Sequence, residues 1–237
     1  MTRALRRCSA VGGSEEGDVP GMERDGTPTR PPTLEGTMPP MDLIATIASR
    51  ARIEGELLLV DEFLNHRVEP EVIRAVGVQL ADRFADAQPE LVLTSEAGGI
   101  APALACATEM DLPMIYAKKY VGPGNRFTFA REVSSPTKGT EYRVEVARRV
   151  LPPGTRILIV DDFLSRGRTA EALGDIAEEA RCELAGFGFV IEKTFQGGRR
   201  RLEDRGWHVE SLVIVESMTD GVPRIRGLEA ETAESHE

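Results

Sequence analysis

RILIVDDFLSRGRTAEAL, residues 156–173, decides the fold. Its opening run is aliphatic and β-branched, as a strand buried on both faces requires. Asp161 and Asp162 end the run, a turn of small and polar residues follows, and the spacing predicts a helix over about 168–181. At the carboxyl end of a parallel strand, where open α/β sheets bind ligands, two neighbouring carboxylates accept hydrogen bonds from vicinal sugar hydroxyls. Ser165, Arg166, Gly167, Arg168 and Thr169 supply the opposite polarity: backbone N–H groups, two hydroxyls and a helix N-terminus, a set suited to a phosphate monoester. Acids for a diol beside amides for a phosphate point to ribose 5-phosphate. A GK[ST] pair and a GxGxxG turn are both missing, so neither a Walker loop nor a dinucleotide-binding turn is read here.

Outward from this stretch, short apolar runs alternate with helical patterns, the mark of an α/β domain with a mainly parallel sheet. The runs are LLLV at 57–60, LVLTS at 91–95, MIYA at 114–117, GFGFVI at 186–191 and VESLVIV at 209–215. Pro70 suits a first helical turn, and Val72, Val76, Leu80 and Phe84 then recur every four residues. A further helix is expected after SEAGGIAP at 95–102, and a first helical pattern spans Asp42 to Ile53. From Tyr120 to Tyr142 the pattern breaks into Gly, Pro, Ser and Thr around an alternating RFTFARE, which predicts a functional loop or hairpin with SSPTKGT at its tip.

The 237 residues carry 29 Lys and Arg against 39 Asp and Glu, a net charge of −10 that disfavours a phosphate-backbone footprint on nucleic acid. No apolar run approaches a membrane span. Cys8, Cys106 and Cys182 are too few and too scattered for a disulfide framework, so a reducing cytoplasm is expected. His66, His208 and His236 form no ligand-spaced cluster, and no protein-only metal site is read. Residues 1–40 contain twelve Gly or Pro and no Phe, Tyr, Trp or Ile, too little apolar surface to offset the entropy of ordering. They are read as a disordered extension, 41–226 as the folded domain and 227–237 as an acidic disordered tail.

The string at 156–173 resembles the phosphoribosyl diphosphate (PRPP) signature of the type I phosphoribosyltransferases. LLLVDEFLNHRVEP at 57–70, SEAGGIAP at 95–102 and VIEKTFQGGR at 190–199 are similar to the xanthine branch of that family, in its order and spacing. The resemblance runs from about Met41 to Arg226. The phosphate loop SRGRT departs from the xanthine branch towards the general family pattern. What the resemblance implies is a mainly parallel sheet flanked by helices, a small hood from the N- and C-terminal segments, a flexible active-site loop and a homodimer. It also implies transfer of the phosphoribosyl group of PRPP to xanthine, giving XMP and pyrophosphate. Asp161 and Asp162 are then the catalytic acids on the ribose, and Mg2+ binds chiefly through PRPP oxygens, since that ion keeps few protein ligands.

Ser95, Ala97, Gly98 and Gly99 form a turn whose N–H groups suit the departing pyrophosphate, and Lys118 and Lys119 are candidate cations for it. On the base, Lys193 can donate to a six-oxo group that adenine lacks. The resemblance adds Leu58, for apolar contact or through its backbone, and Asn65, whose amide both donates and accepts. Two alternatives stand beside this reading: a phosphoribosyltransferase for adenine or another purine, which shares the PRPP residues, and a PRPP-binding transcriptional regulator. Residues 1–40 show no helix-turn-helix pattern for the latter.

Overall fold

The computed structural model describes residues 41–120, 127–134, 141–219 and 221–228. The tip SSPTKGT lies mostly outside them, as do residues 1–40 and the end of the acidic tail.

The chain opens on helix α1 (Leu43–Arg50), started by Asp42, whose Oδ1 accepts from the Ala45 N–H at 3.0 Å. Strands β1 (Arg52–Glu54) and β2 (Leu57–Leu59) form an antiparallel hairpin that turns at Gly55, where φ is +60°. LLLV is therefore a strand of a separate two-stranded sheet and not, as its composition suggests, a member of the main one. The left-handed glycine two residues before it turns the chain back on β1. A π-helical turn at Asp61–Asn65 leads to α2 (Pro70–Arg83), which buries Val72, Val76, Gly77 and Leu80 along one side.

The main sheet is built from β3 (Leu91–Ser95), β4 (Met114–Tyr120), β5 (Thr128–Ser134), β6 (Glu141–Ala147), β7 (Arg156–Leu164), β8 (Glu183–Lys193), β9 (Val209–Thr219) and β10 (Val222–Ile225). Helix α3 (Ile100–Glu109) joins β3 to β4, α4 (Arg168–Glu179) joins β7 to β8, and the short α5 (Gly198–Glu203) precedes β9. Strand order is β10-β9-β8-β7-β3-β4-β6-β5. The five central strands are parallel, and the edges are antiparallel: β10 on one side, the β5–β6 hairpin on the other. Thr128 to Glu132 of RFTFARE thus belong to a hairpin that widens the sheet.

From β3 the chain winds towards β4, whereas from β7 it winds the opposite way through β8 to β9. The winding reverses between β3 and β7, and a crevice must open there beyond their carboxyl ends. The reversal also puts α3 and α4 on opposite faces. Leu158 and Val160 of β7 pack with α2 and α3, while Ile157 and Ile159 pack with Leu173, Ile176 and Ala177 of α4. A strand buried on both sides needs the unbroken aliphatic run seen in the sequence.

Helices α2 and α3 meet where Gly77 faces Ala105: a Cβ on Gly77 would fall 2.8 Å from the Ala105 backbone carbon. That is closer than a side-chain carbon approaches a neighbouring backbone. Gly77→Val should therefore prise the helix pair apart at a cost of about 3 kcal/mol. Differential scanning calorimetry should show the unfolding midpoint lowered by roughly 5 °C or more.

Candidate active site

A cleft of about 650 Å³ opens over the ends of β3, β4, β7 and β8, and the phosphate-type loop forms one wall. Asp161 and Asp162 lie at its floor, both half-buried. The Asp162 N–H donates to Asp161 Oδ1 at 2.9 Å and the Phe163 N–H to Asp162 Oδ1 at 3.0 Å, so the backbone itself orients both carboxylates. Burial, and next the negative charge of Asp162, push the Asp161 carboxyl well above the usual carboxylate range. A floor of two adjacent carboxyl groups favours a cation or a hydroxyl-rich ligand.

The loop after β3 packs directly on these acids. A Cβ at Gly98 would collide with the Asp162 carboxylate, and one at Gly99 with Asp161 Oδ1 and Thr94 Oγ1. At Gly99 φ is −71°, open to any residue, so what requires glycine is space. Thr94 Oγ1 is, among the described residues, the buried side-chain oxygen left without a hydrogen-bond partner, and it closes on the same point as Asp161. The loop is tied to β4 by Glu96, whose Oε1 accepts from the Lys119 N–H at 2.6 Å. Ser95 and Gly98 line the cleft with Glu96, whereas Ala97 and Gly99 are not among its lining residues.

Ser165, Arg166, Gly167, Arg168 and Thr169 all line the cleft. Gly167 turns the chain at φ +73° into the N-terminus of α4. The segment after β8 holds the loop from behind: the Gly198 N–H donates to Ser165 O at 3.0 Å and Arg201 Nε to Arg166 O at 3.0 Å. In front, the Tyr142 hydroxyl shares a 2.9 Å hydrogen bond with Thr169 Oγ1, and Lys119 Nζ lies 5.4 Å from the centre of the Tyr142 ring. Lys119 thus reaches the cleft. Lys118, its neighbour on the strand, alternates to the other face, opposite Glu145 of β6.

Lys193 stands at the end of β8 and is only 6% exposed, unlike most strand-end lysines. Its Nζ donates a long hydrogen bond (3.4 Å) to Glu56 O and lies 5.6 Å from the centre of the Phe163 ring. Burial lowers its pKa. The Leu58 side chain is packed in the core, so of the two contacts expected of it the one through its backbone stays open. The exposed Leu57 is the hairpin leucine that lines the cleft, because adjacent strand residues face opposite ways. Asn65 is not among the lining residues either; its Nδ2 donates to Asp162 Oδ2 at 2.9 Å. Sequence reasoning missed Tyr142, Phe163, Gln196 and the Glu56 backbone. Tyr142 ends the irregular 120–142 stretch, but its pairing with Thr169 depends on an edge hairpin whose docking no local pattern encodes.

Among the described residues no group of three or more His, Cys, Asp or Glu is placed to hold a metal ion. Two carboxylates alone cannot cage Mg2+, but they fit one that brings waters and substrate oxygens as its other ligands. Because Gly98 packs on Asp162, Gly98→Ala should drive the loop off the acids. Titration calorimetry with PRPP and Mg2+ should show affinity weakened by roughly tenfold, the effect of about 1–2 kcal/mol of overpacking. The circular dichroism spectrum should be unchanged.

Residues 60–222 match the phosphoribosyl transferase domain family. The chain is 42% identical over 175 residues to the xanthine phosphoribosyltransferase of Chloroflexus aurantiacus, covering 74% of this chain and 83% of that protein. It is 43% identical over 164 residues to that of an Exiguobacterium species, covering 69% and 85% respectively. Among solved structures, the adenine phosphoribosyltransferase of Rhodothermus marinus superposes with a TM-score of 0.60 at 25% identity, covering 73% of this chain and 98% of that one. The cleft at the sheet's reversal, its paired acids and its loop at the start of α4 are thus features of a chain that belongs to the phosphoribosyltransferase family.

Proposed function

We propose that the protein is a purine-salvage enzyme that transfers the 5-phosphoribosyl group of PRPP to a ring nitrogen of xanthine, giving XMP and pyrophosphate. The observation that carries this reading is one cleft holding the Asp161–Asp162 pair, the loop at the start of α4 and the buried Lys193. The xanthine phosphoribosyltransferases it resembles at 42–43% identity support the choice of base.

In this reading the 5-phosphate rests on the N–H groups and hydroxyls of 165–169, where the positive end of α4 favours a dianion. Asp161 and Asp162 accept from the ribose hydroxyls and carry Mg2+ together with PRPP oxygens; that ion, when bound, neutralises charge on the diphosphate. As the bond to pyrophosphate lengthens, positive charge builds on the ribose directly above two acids. The acids lie on the side where that charge grows, so their interaction with it is stronger in the transition state than in the ground state. Ser95 at the end of β3, Gly98 of the loop that follows and the Lys119 ammonium line the cleft where the pyrophosphate would leave.

Lys193 discriminates the base. A partly desolvated ammonium donates to a six-oxo group, whereas the six-amino group of adenine presents donors and leaves one N–H of the ammonium without an acceptor. Phe163, within reach of Lys193, offers a ring face beside the base. We place the activity in residues 41–226, in a cytoplasmic homodimer. Among the described residues no helix is long and apolar enough to cross a membrane.

Asp162→Asn keeps volume and removes charge, and kcat should fall on the order of a hundredfold with the fold intact by circular dichroism. Near-normal turnover would remove Asp162 from its assigned role. Lys193→Met preserves bulk at the end of β8. With PRPP, Mg2+ and xanthine, hypoxanthine, guanine or adenine in parallel, the parent should prefer xanthine, and the variant should lose about tenfold or more in kcat/KM for oxopurines. PRPP affinity should barely change; an equal loss in both would assign Lys193 to the fold and not to the base.

A further inference from the structure

The residue that sequence reasoning gives to the base is bonded in the structure to the ribose acid. Asn65 Nδ2 donates to Asp162 Oδ2 at 2.9 Å, while Asp162 Oδ1 is occupied by the Phe163 N–H. Each oxygen of Asp162 therefore holds one protein donor, and rotation of the carboxylate would break both bonds. Each oxygen keeps a lone pair for a ligand.

Asn65 is well placed to act as a fixed donor. It ends the turn Asp61–Asn65, whose Phe63 and Leu64 side chains are fully buried anchors. The turn is closed by the Arg67 N–H on Asp61 O at 2.8 Å and the Glu69 N–H on Phe63 O at 3.0 Å. Arg50 covers the Phe63 ring, 4.6 Å from its centre, and grips Glu69 through two hydrogen bonds of 2.7 and 2.9 Å. A side chain carried on so braced a turn presents its amide without the entropy cost of a mobile loop.

We infer that Asn65 is a positioning residue for PRPP: it sets the Asp162 carboxylate for the ribose hydroxyls before any base arrives. One side chain thus joins the Asp61–Asn65 turn to the acid assigned to the ribose. This inference rests on Asp162 being a ribose acid, and the test separates the two claims.

The experiment measures PRPP affinity with Mg2+ and no base by titration calorimetry, and kcat/KM with xanthine and guanine, for the full-length parent, Asn65→Leu, Asn65→Asp, Asp162→Asn and the double variant Asn65→Leu/Asp162→Asn. Asn65→Leu removes the donor at constant shape, and Asn65→Asp sets a like charge against Asp162. Both should weaken base-free PRPP binding by roughly tenfold or more, the size of a hydrogen bond to a charged group. Both should lower kcat/KM for the two bases by the same factor. In the Asp162→Asn background Asn65→Leu should add little, since its partner is already altered. Unchanged PRPP affinity in both Asn65 variants while Asp162→Asn loses it, or losses that differ from base to base, would overturn the positioning role and leave Asn65 to the base alone. Unchanged PRPP affinity in all variants would overturn the ribose assignment of Asp162 as well. If one Asn65 variant fails to fold, the other decides.

Discussion

Two adjacent carboxylates must be kept side by side at the end of a buried strand, and the architecture around the cleft follows from that demand. Like charges this close repel, and desolvation adds to the cost, as the raised pKa of Asp161 records. The chain meets the cost with short backbone bonds from the next two N–H groups, with the Asn65 amide, and with a loop too bare of side chains to crowd the acids. Gly98 and Gly99 serve the acids first. The freedom glycine gives the backbone towards a bound anion comes from the same missing Cβ. The reversal of winding between β3 and β7 is what brings this loop and these acids to one place.

A second constraint holds the phosphate loop. Gly167 and Gly198 face each other so closely that a Cβ on Gly167 would lie 3.1 Å from the Gly198 Cα. The segment bearing Gly198 is pinned in turn by Glu192, 1% exposed, which receives a two-pronged grip from Arg199 and a 2.7 Å hydrogen bond from Ser211 Oγ. A buried ion pair is a poor source of net stability, because taking both charges out of water offsets most of their attraction. What it supplies here is direction. Glu192 and Lys193 alternate across β8, one locking the strand's exit from behind and the other facing the cleft, so Lys193 and the loop 165–169 are braced by the same few residues.

Legibility in the sequence follows how local each feature is. Residues 156–173 encode strand, acids, turn and helix through neighbours in the chain, and their placement could be read directly. The parallel centre of the sheet was legible for the same reason, since the runs of β3, β7 and β8 are each followed by a helix that leads to the next parallel strand. LLLV was not, because a run of three leucines fits a sheet strand or a hairpin equally well, and a shift of one residue exchanges the roles of Leu57 and Leu58. The Asn65–Asp162 bond spans ninety-seven positions and Tyr142–Thr169 twenty-seven. Contacts between elements that meet only in the folded chain leave no periodicity or spacing to read.

The two ends of the cleft are therefore built on different principles. The ribose phosphate end consists of backbone N–H groups, a helix terminus and acids oriented by their own main chain, all anchored in the central sheet. The base end is assembled from side chains on short elements: Leu57 on a three-residue strand, Lys193 at a strand's last position, and Phe163 just beyond the acids. In the proposed reading, one substitution there alters which purine edge is satisfied without disturbing how PRPP is held. Relatives named for xanthine and for adenine share this fold, and on that reading the specificity of this chain rests on the few side chains at that end.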